Sequence, residues 1–118
     1  MTDRIVLTLP AEARFRSVAT LVLGGIGSRF DLPYERVDDL QLAVLSVFET
    51  GGDDRLTLEV EGAQGRLTVT LGPLRGGTAS DTALTRVLVP LVDAVEPEDR
   101  DGAEWLTLRL GRSRAEVR

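Results

Sequence analysis

The chain has 118 residues, 42% of them hydrophobic and 28% charged, with a net charge of −5. That length suits one domain with its own core, expected here over residues 1–118, and that composition excludes a disordered chain. Acidic and basic residues are intermixed, so the clustered basic face that nucleic-acid binding needs is not expected.

Cys, His, Lys and Asn do not occur, and all 14 basic residues are Arg. Disulfides, thiolate and imidazole chemistry and the usual zinc ligand sets are thereby excluded. Arg in place of Lys, with abundant Ala, Val, Leu and Gly, points to a GC-rich bacterial genome. No apolar run reaches the roughly 20 residues that span a bilayer; the longest, Val18 to Ile26, is interrupted by Thr20, Gly24 and Gly25. Met1-Thr2-Asp3-Arg4 lacks the layout of a signal peptide, so the expected compartment is the cytoplasm, with no membrane contact.

Arg4 to Leu9 alternates, with Ile5, Leu7 and Leu9 on one side, and predicts a strand ended by Pro10. Phe15, Val18, Ala19, Val22, Ile26 and Phe30 then recur at helical spacing and predict a helix of about twenty residues. Gly24, Gly25 and Gly27 weaken its last turns or let it lie close to a neighbour. Asp31-Leu32-Pro33 breaks and restarts the chain. Val37, Leu40, Val44, Val47 and Phe48 form a second helical stripe ending at Gly51-Gly52, expected to be the buried central helix.

A hairpin follows. Leu56, Leu58 and Val60 alternate with Thr57, Glu59 and Glu61, and Leu67, Val69 and Leu71 alternate with Thr68 and Thr70, around a turn at residues 62–65. After a loop from Gly72 to Ser80, the residues Leu84, Val87, Leu88, Leu91 and Val95 predict a third helix, kinked or split at Pro90. Residues 96–101 are acidic and read as an exposed loop. Trp105 to Leu110 is the last strand. The order β-α-α-β-β-α-β predicts an α+β two-layer sandwich: a mixed, mostly antiparallel sheet with helices on one face and the other face open to water or a partner.

Val37-Asp38-Asp39-Leu40-Gln41-Leu42-Ala43-Val44, after Leu32-Pro33-Tyr34-Glu35-Arg36, resembles the second helix of the bacterial anti-sigma serine kinases. Those kinases belong to the ATPase superfamily shared by histidine kinases, gyrase B, Hsp90 and MutL. The opening strand, Pro10 and the element order are also similar to that family. In it, a Glu two residues after Leu-Ala-Val serves as base, and an Asn four residues later holds magnesium on the nucleotide. The resemblance places Ser46 and Thr50 at those positions. Ser46 cannot accept a proton near neutral pH, and Thr50 is a poor magnesium ligand. Glu49, three residues from Ser46, is expected to be a solvated helix end on a different side. The family's Asp-x-Gly-x-Gly, whose carboxylate reads adenine, corresponds to Leu71-Gly72-Pro73-Leu74-Arg75-Gly76-Gly77, without the Asp; Asp81 lies too far along. The resemblance therefore implies a degenerate nucleotide site at Ser46, Thr50, Gly72, Gly76 and Gly77, with no catalytic residue, no metal site and no cofactor. The alternative is a divergent domain that still binds ATP and magnesium, through Gly72, Gly76, Gly77 and backbone groups.

The acidic pairs Asp38-Asp39 and Asp53-Asp54 read as solvated faces, as does the run of Glu96, Glu98, Asp99 and Asp101. The basic tail, Arg112, Arg114 and Arg118, reads as a solvated end. Trp105 falls on the open sheet face with Val6, Thr57 and Thr107, as core-edge packing or a contact anchor. Arg14 and Arg16 on the first helix either solubilise it or meet an acidic partner. The expected function is a non-catalytic regulatory domain that binds a protein such as a sigma factor or an anti-sigma antagonist, or a second copy of itself.

Overall fold

Alternating apolar residues in five segments build one sheet, and two long helices with one short one cover its apolar face. The computed structural model describes residues 3–63 and 65–113. Strand β1 spans Asp3–Pro10 and leads through a 3-10 turn, Ala13–Phe15, into α1, Arg16–Arg29, and α2, Tyr34–Gly51. Then come β2 (Gly52–Ala63), β3 (Arg66–Leu74), a second 3-10 turn (Thr78–Ser80), α3 (Thr82–Leu88), β4 (Ala94–Arg100) and β5 (Ala103–Gly111). The sheet order is β1-β2-β3-β5-β4, and every neighbouring pair is antiparallel, so the sheet is not mixed.

The acidic segment expected to be a loop is strand β4. Val95 and Pro97 sit opposite Leu108 and Leu106; Val95 packs against the core and Pro97 is exposed at the sheet edge, while Glu96 and Glu98 lie on the opposite, open face. Arg109 neutralises Glu96 at 2.8 Å and Arg100 pairs with Glu98, which removes the cost of lining up acids on a strand. Asp101 (φ 53°) and Gly102 (φ 85°) make the two-residue turn into β5. As an edge strand carrying Pro97 and three acids, β4 is protected against pairing with another chain.

The helical layer also departs from expectation. The buried side of α1 carries Ala19, Leu23, Ile26 and Gly27, whereas Val18 lies outward, 40% exposed. Gly27 is small because a Cβ there would stand 2.6 Å from Val37 Cγ2 of α2. The third helix stops at Leu88, and Val95 belongs to β4. Pro90 ends it because that residue supplies no N–H.

The core joins Leu23, Leu40, Val44 and Val47 from the helices to Leu56, Leu58, Val69, Leu71, Leu106 and Leu108 from the sheet. Two charged side chains are buried with it: Asp39, 4% exposed and not on a solvated face as expected, and Arg36, 1% exposed. The Arg36 guanidinium donates to Asp39 Oδ2 at 2.8 Å, to Asp93 Oδ1 at 3.1 Å and to the Gly111 carbonyl at 3.1 Å. Asp93 in turn accepts from the Gly111 N–H at 2.7 Å. This cluster ties the start of α2 to the β4 approach and the end of β5. At the surface, Arg112 pairs with Asp31. Arg114 and Arg118 lie outside the described residues. No helix among the described residues is long and apolar enough to cross a membrane.

Candidate functional site

Ser46 and Thr50 come together. One turn apart on α2, they line a cleft of about 240 Å³ against α3, with Glu49, Asp81, Leu84 and Val87. Glu49 is on the same side of the helix as Ser46, not a different one, because residues three apart are helix-surface neighbours. Its carboxylate is paired with Arg16. The Ser46 hydroxyl donates to the Leu42 carbonyl at 2.7 Å, so it is turned back onto its own helix. Asp81 caps α3, accepting from the Leu84 N–H at 2.9 Å. The cleft thus holds one paired carboxylate, one capping carboxylate and two hydroxyls, and is smaller than the roughly 300–1,000 Å³ of ordinary ligand pockets.

The three glycines do not gather at that cleft. Gly72 lies on the other side of the sheet, where a Cβ would stand 2.3–2.7 Å from the Trp105 ring. Gly76 and Gly77 are in the exposed loop before α3. There the carboxylate of Glu104 accepts from the Gly77 N–H at 2.6 Å and the Ala79 N–H at 2.9 Å. The bonds from Ala79 and then Gly77 hold the Glu104 carboxyl below its usual pKa. The donors that would cradle a phosphate already hold an anion supplied by the chain.

Trp105 occupies the open sheet face, half-buried on Gly72. Arg100 stacks on the ring at 4.2 Å and reaches across it to Glu59, making two bonds of 2.9 Å. Arg4 approaches Glu59 at 3.5 Å. Beneath this lattice Thr70 and Thr107 are buried and bonded to each other at 3.1 Å. Arg14 pairs with Glu12 at 3.1 Å and lies over Phe15, and Arg16 pairs with Glu49, so both arginines have internal partners. Sequence reasoning missed Arg36, Asp39, Glu59, Arg100 and Glu104. For Arg36 a signal existed: it is four residues before Leu40, in phase with the buried stripe.

The hydrogen bonds from Arg100, followed by its charge and that of Arg4, lower the Glu59 pKa, against the opposing effect of burial. A carboxylate whose folded pKa lies below its unfolded value of about 4.3 adds stability above that value and loses it as pH falls through the folded pKa. With Arg100 about a third exposed, the pair contributes roughly 1 kcal/mol. Glu59→Gln is therefore expected to lower stability by about that much at neutral pH and to flatten its decline below about pH 4. Urea unfolding at a series of pH values reads both effects.

These features define a two-layer α+β domain whose central-helix cleft is lined by hydroxyls and whose glycine loop is closed by its own carboxylate. No protein-family model matches the chain. It is similar to the serine-protein kinase RsbW of Listeria monocytogenes serotype 4a (strain HCC23), and equally to those of serotype 4b (strain F2365) and of Listeria innocua serovar 6a. In each case 46% of 44 residues are identical, covering 37% of this chain and 28% of the relative. The chain is thus a partial homologue of these kinases, and its match covers little more than a quarter of their length.

Proposed function

We propose that this chain is a regulatory domain, related to the anti-sigma serine kinases, that acts through protein contact and does not transfer phosphate. The observation that carries this reading is the α2–α3 cleft: the positions that the resemblance assigns to base and metal ligand are Ser46 and Thr50, and no carboxylate there is free. A base must reach the proton it removes, and magnesium needs oxygen ligands with open geometry. The Glu104 contact supports the same reading, since a phosphate entering the glycine loop would have to displace a carboxylate held by two N–H groups. A protein partner of the kind bound by anti-sigma kinases follows from the similarity: a sigma factor, an anti-sigma antagonist or a second copy. The cytoplasm is the compartment such partners imply.

Calorimetric titration with magnesium-ATP tests the reading, together with a labelled-phosphate transfer assay on serine-containing partner proteins. No heat at millimolar nucleotide and no transfer are expected. Micromolar binding would favour a nucleotide-sensing domain, and any transfer of phosphate would overturn the proposal.

A further inference from the structure

The outer surface of the helical layer carries a groove between α1 and α2, distinct from the α2–α3 cleft. Two connected hollows, of about 630 and 480 Å³, share Gly24 and Gln41. The groove is open because α1, apart from Leu21 at the rim, lines it with the small residues Ser17, Thr20, Gly24, Gly25 and Ser28, and because Gln41 folds down to donate to the Thr20 carbonyl at 2.9 Å. Its rims hold Leu21, 79% exposed, and Tyr34, 91% exposed.

Gly25 has no internal explanation. Its φ is not in the left-handed region, and a Cβ there would meet nothing within 4 Å. Glycine inside a helix is less favourable than alanine, so the fold alone would be better served by a side chain. What its absence secures is the groove. At one end stands Asp38, the only charged residue in the lining, with Glu35 beside it; neither has an ion-pair partner among the described residues.

We infer that this groove docks a helical segment of a partner protein that presents apolar side chains at i and i+4 and a Lys or Arg opposite Asp38. From Ser17 to Ser28 the groove runs about 16 Å, the length of a three-turn helix. A preformed groove of this kind reads an amphipathic helix through its apolar anchors, and the flanking carboxylates select its basic end. A second copy docked groove to groove would set the same carboxylates against each other and meet repulsion. The inference deepens the reading of the chain as a protein-contact domain and rests on it.

The probe is a fluorescein-labelled, acetylated and amidated helical peptide of about 14 residues, with leucines at i and i+4 and lysines at one end. Its control has glutamates in place of the lysines. Fluorescence anisotropy is expected to show saturable binding of the lysine peptide, and about tenfold weaker binding of the glutamate peptide. Gly25→Leu should abolish binding while the melting temperature stays at or above that of the unmodified protein. Leu21→Asp, on the exposed rim, should abolish it too, and Asp38→Lys should invert the preference between peptides.

The inference is overturned if no saturable binding occurs, or if Gly25→Leu and Leu21→Asp bind as the unmodified protein does. An unchanged preference in Asp38→Lys overturns it as well, as does sedimentation showing a dimer that Gly25→Leu dissociates. Magnesium-ATP titration of the same preparations separates the two readings: phosphate transfer sinks the contact-domain reading whatever the peptides do, and failed docking leaves a silent nucleotide titration unaffected.

Discussion

Arg36→Met is expected to destabilise the protein by about 3–5 kcal/mol, because two carboxylates would lose the charge that compensates them. Asp39 has a side chain only 5% exposed and Asp93 one that is 25% exposed, and each is bonded to the guanidinium. Methionine fills much of the volume, so packing is not the main loss. Removing one partner of a buried ionic cluster is costly because the remaining charge cannot recover its hydration. On a total stability of about 5–15 kcal/mol, that loss corresponds to a melting temperature lower by roughly 10–20 °C. Thermal unfolding followed by circular dichroism and by Trp105 fluorescence measures it. Arg36→Lys should fall in between, since an ammonium cannot span Asp39, Asp93 and the Gly111 carbonyl with one planar fork. Arg36→Met combined with Asp39→Leu should regain part of the loss by removing the stranded charge. Equal stability of the single and double variants would show that a charge stranded at Asp39 is not the source of the loss.

Gly72→Ala is the second large effect, with opposing contributions of known sign. Replacing glycine by alanine where φ is ordinary restricts the unfolded chain and favours folding by about 0.4–1 kcal/mol. Here, however, the new methyl would stand within 2.3–2.7 Å of the Trp105 ring. The ring cannot yield easily, because Arg100 covers it and is itself fixed on Glu59. Overpacking costs about 1–3 kcal/mol, so a net loss of roughly 1–2 kcal/mol is expected. Trp105 emission should shift to longer wavelength as the indole is lifted into water. Adding Trp105→Val should restore most of the stability, a non-additivity diagnostic of direct contact. Simple addition of the two single losses would place the steric conflict elsewhere.

Both sites show where one-dimensional reading ends. The pattern of Leu56, Leu58 and Val60 against Thr57, Glu59 and Glu61 could be assigned from alternation alone, because a half-buried strand imposes a period of two. The stripe of α2 could be assigned likewise from its period of 3.6. For β4 a usable signal was present: Asp101-Gly102 is a two-residue hairpin turn, flanked by alternation in Val95 and Pro97. The acidic composition concealed it. Those acids are accommodated in a strand because Arg109, from the neighbouring β5, and Arg100, at the end of β4 itself, neutralise them.

The pairing of Ser46 and Thr50 one turn apart on α2 was legible, since it concerns residue identity within one helix. The closing of the glycine loop was not: Glu104 lies 27 residues from Gly77, and no local spacing announces that the two will bond. For the same reason the internal partners of Arg16 and Arg100 could not be named in advance.

What the amino-acid order determined by itself was the set of strands and helices with clear periodicity and a composition without thiol or imidazole side chains. These depend on composition and on contacts between near neighbours in the chain. The tertiary structure alone decided the fully antiparallel order, the burial of Arg36, the seat of Trp105 on Gly72 and the open groove beside Gly25. Each depends on groups far apart in sequence meeting at ångström distances, where desolvation and steric exclusion outweigh local propensity.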